Sequence, residues 1–340
     1  MIMDRRALIG AALAMPVAAR ALAAEPAPER TAVRRLSPGL DRVIASDAAI
    51  ETIATGIKWA EGPVWLPDQR ALLFSDPPAN LIRRWRAGQG AEPFLSPSGA
   101  AGTDPKLVRE PGSNGLALGA DGALRIADSG TRALTRLDLA SKHRTVLVDR
   151  YRGKRFNSPN DLHIARSGAI YFTDPPYGLA GGDDSSIKEL DHNGVYRWTP
   201  GGEAVLLDGT LSRPNGIALA PDDATLYVTV SDKNAAGIYA YPLDAAGNVG
   251  DRRLLFDARP MLAKDAPGIT DGMKVAADGT LFCSAPGGML ILSPEAEPLG
   301  LITAGRAIAN CCFGEDGQTL FLTASDRVLR VRLRINGWRA

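Results

Sequence analysis

Six positions along this chain place a side-chain oxygen directly before an apolar segment. They are Glu61 in "AEGPVW", Asn114 in "SNGLAL", Asn160 in "SPNDLHI", Asn215 in "RPNGIAL", Asp271 in "TDGMKV" and Asn310 in "ANCCFG". All six carry a carboxylate or a carboxamide. Brought together, they would make an oxygen-only ligand set. Two carboxylates facing each other in a buried place repel and desolvate at high cost unless a cation lies between them. Oxygen ligands favour a hard cation such as calcium or magnesium over zinc or copper, and calcium best, because it accepts about six to eight ligands in flexible geometry. Taken singly, most of the six have a simpler explanation, since Asn-Gly and Asp-Gly pairs make tight turns. Glu61 resists it: glutamate is no turn former, and Gly62 and Pro63 already supply the bend. His143, His163 and His192 are scattered out of phase, and Cys283, Cys311 and Cys312 have no metal-binding spacing.

Side chains this far apart in sequence meet only if a repeated element returns each one to the same place. A phrase of turn, alternating strand, turn and second strand recurs six times. The copies are "PDQRALLFSDPPANLIRRW", "ADGALRIADSGTRALTRLDL", "RSGAIYFTDPPYG", "PDDATLYVTVSDKNAAGIYAYPLD", "ADGTLFCSAPGGMLILSP" and "EDGQTLFLTASDRVLRVRL". Most are preceded by a short segment of the "NGLAL" type, a candidate inner strand. Apolar residues alternate with period 2 or run short, and few segments show a helical period. Units of roughly 40 to 50 residues with four short strands each predict an all-β, six-bladed β-propeller with four-stranded antiparallel blades around a central channel. The six oxygen-bearing residues then share one end of that channel. Pairing a strand near residues 50–57 with the last strands, near 328–335, would close the ring and remove exposed edges.

Composition fits this scheme. The hydrophobic share of 45% over 340 residues fills a large core, and 36 glycines with 24 prolines suit many turns. A net charge of +1 gives no reason to expect a nucleic-acid or anionic-membrane partner. No G-x-G-x-x-G, P-loop or G-x-S-x-G phrase occurs. The N-terminus has its own character. Arg5 and Arg6 precede an Ala/Leu/Ile run and an Ala21-Leu22-Ala23 site. This layout predicts an export signal over residues 1–24, of the twin-arginine type, and a periplasmic location for the mature chain. Residues 25–48 read as a linker, and 49–340 as the propeller.

The phrases "EGPVW", "SNGLAL", "SPNDL", "FTDPPYGL", "RPNGIAL" and "DGMKV" together resemble those of the SMP-30/gluconolactonase family of six-bladed propellers, which includes bacterial sugar lactonases. The likeness runs from about Glu61 to the C-terminus. It implies a metal-dependent hydrolase that opens a sugar lactone, with one divalent cation as cofactor and a small lactone as substrate. Calcium is the expected ion, with zinc and magnesium as alternatives. The resemblance places Glu61, Asn160, Asn215 and Asp271 on the metal, and Asn114, Asn160 and Asn310 around the substrate. "RFNSPND" offers Asn157 as well, but Asn160 precedes the apolar Leu162 and Ile164 and is preferred. Asp271 is the expected general base, with Glu61 as the alternative, and Asp174 and Tyr177 are expected at the mouth. A phosphotriesterase-like hydrolase on the same metal, or a non-catalytic ligand-binding propeller, are the competing readings. "IADSG" at residues 126–130 departs from the "EHG" type of phrase found there in bacterial gluconolactonases.

Overall fold

Short alternating segments bounded by glycine and aspartate turns pair with their sequence neighbours, and here they do so six times over. The computed structural model describes residues 31–263 and 265–337, so the expected export signal lies outside the described residues. The first blade runs Glu61–Leu66, Ala71–Asp76, Leu81–Arg86 and Gly90–Leu95, each strand antiparallel to the next. Four further blades begin at Leu116–Leu118, Leu162–Ile164, Pro214–Leu219 and Met273–Val275. The sixth joins Asn310–Gly314, Thr319–Ala324 and Arg327–Arg332 to Ile50–Thr55 from the other end of the chain. That last pairing is the predicted ring closure: Ile50 faces Val331 and Thr55 faces Arg327. Apolar residues of adjacent blades interlock between the sheets; Leu66, Leu73 and Ile82 of the first blade pack against Leu116, Leu124 and Ile126 of the second. Among the described residues, no helix is long and apolar enough to cross a membrane.

The stretch predicted as a linker is only partly one. Ala32–Arg35 forms a fifth strand on the outer edge of the fifth blade, pairing with Pro298–Thr303. A 3-10 turn follows at Pro38–Arg42, and Leu40, Val43 and Ile44 are fully buried between the fifth and sixth blades. The segment covers a sheet edge that would otherwise be open to pairing with another chain. Its sequence misled because Ala-rich and Arg-rich flanks dilute the three apolar side chains that matter. The Leu40→Ala variant is therefore expected to lose about 2–5 kcal/mol of stability, the usual range for emptying a packed leucine site. Urea unfolding monitored by tryptophan fluorescence would measure it. A change under about 0.5 kcal/mol, as for an exposed linker residue, would contradict the packing described.

Candidate active site at the channel mouth

Asn215-Gly216 is not a turn. It lies inside the buried strand Pro214–Leu219, where the register slips between Pro214 and Ile217. Glycine is needed there because a Cβ on Gly216 would lie 2.4 Å from the Asp271 carbonyl oxygen of the next blade. Gly62 is more constrained: its φ is +44°, and a Cβ would lie 2.0 Å from the Asn114 carbonyl oxygen. Each glycine lets one inner strand run against the next, so consecutive oxygen-bearing residues come into contact. The recurring dipeptide thus encodes the close approach of blades.

Hydroxyl groups fix the backbone at the same level. Ser75 Oγ donates to the Asn114 carbonyl, Thr173 Oγ1 to that of Asn215, and Thr229 Oγ1 to that of Asp271, each at 2.6 Å. In every case the donor ends the second strand of one blade and the acceptor begins the next blade. The second blade breaks the pattern with Ala127 in "IADSG", and there Gly115 N–H donates to the Asn160 carbonyl at 2.7 Å instead.

The side chains form a chain of amides. Asn114 Nδ2 donates to Asn160 Oδ1 at 2.9 Å, and Asn160 Nδ2 donates to Asn215 Oδ1 at 2.6 Å. Asn114 Oδ1 is buried without a partner among the described residues. Glu61 is buried and Asp271 partly buried beside this chain, and the Glu61 charge bears on Asp271. Burial pushes the Glu61 carboxyl up to about 8, against the pull of the Gly62 N–H. Burial first, and then the Glu61 charge, push Asp271 well above the ordinary carboxylate range, while Asn215 hydrogen-bonds to it. Two acids and three amide oxygens, one of them the orphaned Asn114 Oδ1, fit a hard cation, for each amide oxygen keeps a free lone pair. No three His, Cys, Asp or Glu side chains among the described residues are grouped to hold a metal; a cation here would draw on the amide oxygens as well as the two acids.

Other expected residues separate into two groups. Tyr177 belongs with the site: it hydrogen-bonds with Ser231 and Asn215, and burial together with the Asp271 charge keeps its hydroxyl protonated. Asn310 also lies on the axis, but as a donor. Its Oδ1 accepts from Cys311 N–H, and its Nδ2 reaches Asp161 Oδ2 at 3.2 Å. Asp174 does not line the mouth. It is fully buried, and its carboxylate accepts the backbone N–H groups of Asn157 and Ser158, each at 2.8 Å. Asn157 is equally remote, its Nδ2 spent on the carbonyls of Asp174 and His192. Both residues brace the turn that delivers Asn160. In the polar loop at residues 181–184, Asp183 is held by Arg213 and Asn193.

Three charged residues escaped the sequence reading. Asp161 is buried beside the ring, and Lys274 Nζ approaches it to 3.9 Å. Glu110 sits on the segment joining the first two blades, whose backbone bridges to Gly178 and Leu179 of the third. Its charge raises both Glu61 and Asp271. Asp161 had a readable signal, a second oxygen directly after Asn160. Glu110 had none, for it lies in a connecting loop outside the repeat phase.

The chain matches the model of the SMP-30/gluconolactonase/LRE-like region over residues 59–326. It is similar to a gluconolactonase of Zymomonas mobilis, at 46% identity over 351 aligned positions that cover 98% of this chain and 99% of that protein. Among solved structures it resembles a gluconolactonase from Xanthomonas campestris, with a TM-score of 0.76 and 31% identity over 91% of this chain and 96% of that one. A calcium-binding protein, regucalcin, from Agrobacterium tumefaciens shares the fold alone, with a TM-score of 0.66 and 17% identity over 86% of this chain and 96% of the other.

Proposed function

The chain belongs to the SMP-30/gluconolactonase/LRE-like family, and from that premise we propose that it hydrolyses a sugar lactone with one divalent cation, calcium, at the channel mouth. The observation that carries the metal reading is the placing of the buried Glu61 and the partly buried Asp271, which feels the Glu61 charge, beside a chain of amide oxygens. Glu61, Asn160, Asn215 and Asp271 would hold the ion, with Asn114 beside them. When bound, the cation supplies Lewis acidity to the lactone carbonyl. Asp271 accepts a proton from water as that water attacks the carbonyl carbon. The ring C–O bond then breaks, and the leaving oxygen takes the proton back. Tyr177, kept protonated, donates a hydrogen bond to substrate at the rim. Asn310 orients Asp161.

A panel assay tests this reading. Metal-free protein should open glucono-1,5-lactone slowly, and calcium should restore the rate more than magnesium or zinc. An aliphatic lactone and a phosphotriester should be poorer substrates. Turnover that ignores chelation, or a preference for the phosphotriester, would sink it.

A further inference from the structure

The amide chain across the mouth has a direction, and at its Asn215 end two acceptors set it: the Asp271 carboxylate, to which Asn215 also hydrogen-bonds, and one hydroxyl outside the ring. Asparagine oxygen and nitrogen are nearly identical in shape, so an Asn at a cation site works only if something tells the two apart. Asn114 donates to Asn160, which donates to Asn215. At the far end, Asn215 Nδ2 donates to Ser231 Oγ at 2.9 Å. Ser231 Oγ in turn donates its proton to the Thr270 carbonyl. A backbone carbonyl can only accept, so the Ser231 proton is committed to it. What Ser231 shows Asn215 is a lone pair, and Asn215 must answer with its NH₂. That turns Oδ1 of Asn215 toward the ring and compels Asn160, then Asn114, to follow the same sense. Tyr177 touches the same two residues, and its own hydroxyl donates to the Arg213 carbonyl at 3.5 Å. Thr270 is held too, its own Oγ1 donating to the Val230 carbonyl.

We propose that Ser231 is a positioning residue that sets the orientation of the amide ligands for a divalent cation. The inference rests on the calcium reading above. Ser231 touches neither ion nor substrate. It acts through Asn215, as outer partners of metal ligands commonly do, with effects of about 10–100-fold on affinity. A serine serves here because its hydroxyl can accept and donate at once. Alanine offers neither function, and threonine keeps both.

The test is calcium titration of metal-free protein by calorimetry. Wild type should bind one ion. Ser231→Ala should bind it about 10–100-fold more weakly, with the metal-free melting temperature nearly unchanged, and Ser231→Thr should restore affinity. A cycle with Asn215→Asp supplies the discriminating readout. A carboxylate presents oxygen whichever way it turns, so adding Ser231→Ala to Asn215→Asp should cost less than threefold. Affinity of Ser231→Ala within twofold of wild type, or an equal loss in both backgrounds, would overturn the proposal. Equal weakening by alanine and threonine would overturn it too, as a packing effect. Wild type that binds no divalent ion would instead remove the calcium reading, and this inference with it.

Discussion

Replacing Asp271 by asparagine is expected to lower lactone turnover by about 10²–10⁴-fold, the range associated with a positioned general base. The substitution keeps the shape and one oxygen. It removes the second oxygen and the charge that would draw a proton from water. Folding should survive, because the backbone ties at this position do not use the side chain: the Asp271 carbonyl still accepts from Thr229 Oγ1. Glu61→Gln is the useful contrast. Glu61 is anchored by the Gly62 N–H at 3.0 Å, so one of its oxygens is already directed away from chemistry. Its loss should weaken calcium binding first, with turnover recovering as calcium is raised. The measurement is kcat at saturating calcium for both variants, with bound metal checked by calorimetry. Near wild-type turnover in metal-loaded Asp271→Asn would end the base assignment. A dead but metal-loaded Glu61→Gln would transfer the role to Glu61.

The propeller was legible because its signal is repeated. Six copies of one phrase average out local ambiguity, and the ring closure followed from the need to hide edges. Residues 32–44 were not legible, because a single strand and a turn on an outer edge carry too few apolar side chains to form a pattern. At the candidate site, phase alone singled out Glu61, Asn114, Asn160, Asn215, Asp271 and Asn310 as residues at the starts of the inner strands. Phase could not tell that Asn310 would spend its oxygen on Cys311 N–H, nor that Asp174 would turn inward to Asn157 and Ser158. Those outcomes depend on which backbone N–H groups lack partners, a property of the folded loops. Asn-Gly was read as a turn pair because φ preference is the usual reason for that dipeptide. Here the reason is the missing Cβ, and only coordinates of the neighbouring blade reveal it. Lys274 and Glu110 mark the same boundary: charge that reaches the ring from outside the repeat phase has no sequence signature.

Without metal the protein is expected to lose stability as pH rises from about 5 to 8, and calcium should cancel most of that loss. The folded-state carboxyl of Glu61 is raised by burial to about 8, and Asp271 is raised by burial and by Glu61. A raised acid binds protons in the folded state that the unfolded chain has released. Its stabilising contribution is therefore complete below the unfolded value, near 4.5 for glutamate, and disappears as pH climbs through the folded value. Asp174, raised to about 7, and Asp128 act in the same sense away from the ring. His163 acts oppositely: burial lowers it to about 3, so it costs stability on acidification below the usual imidazole range. These remote terms are common to both metal states and cancel in the difference that calcium makes. At pH 8 a hundredfold excess over Kd should add about 2.7 kcal/mol, roughly 4 °C in melting temperature for a domain of this size. At pH 5 protons compete for Glu61 and Asp271, so the increment should shrink to a small fraction of that. Differential scanning calorimetry across this range, with calcium and with chelator, reads the difference directly. A calcium increment that stays level from pH 5 to 8, or grows toward acid, would mean that the two carboxylates do not meet the ion.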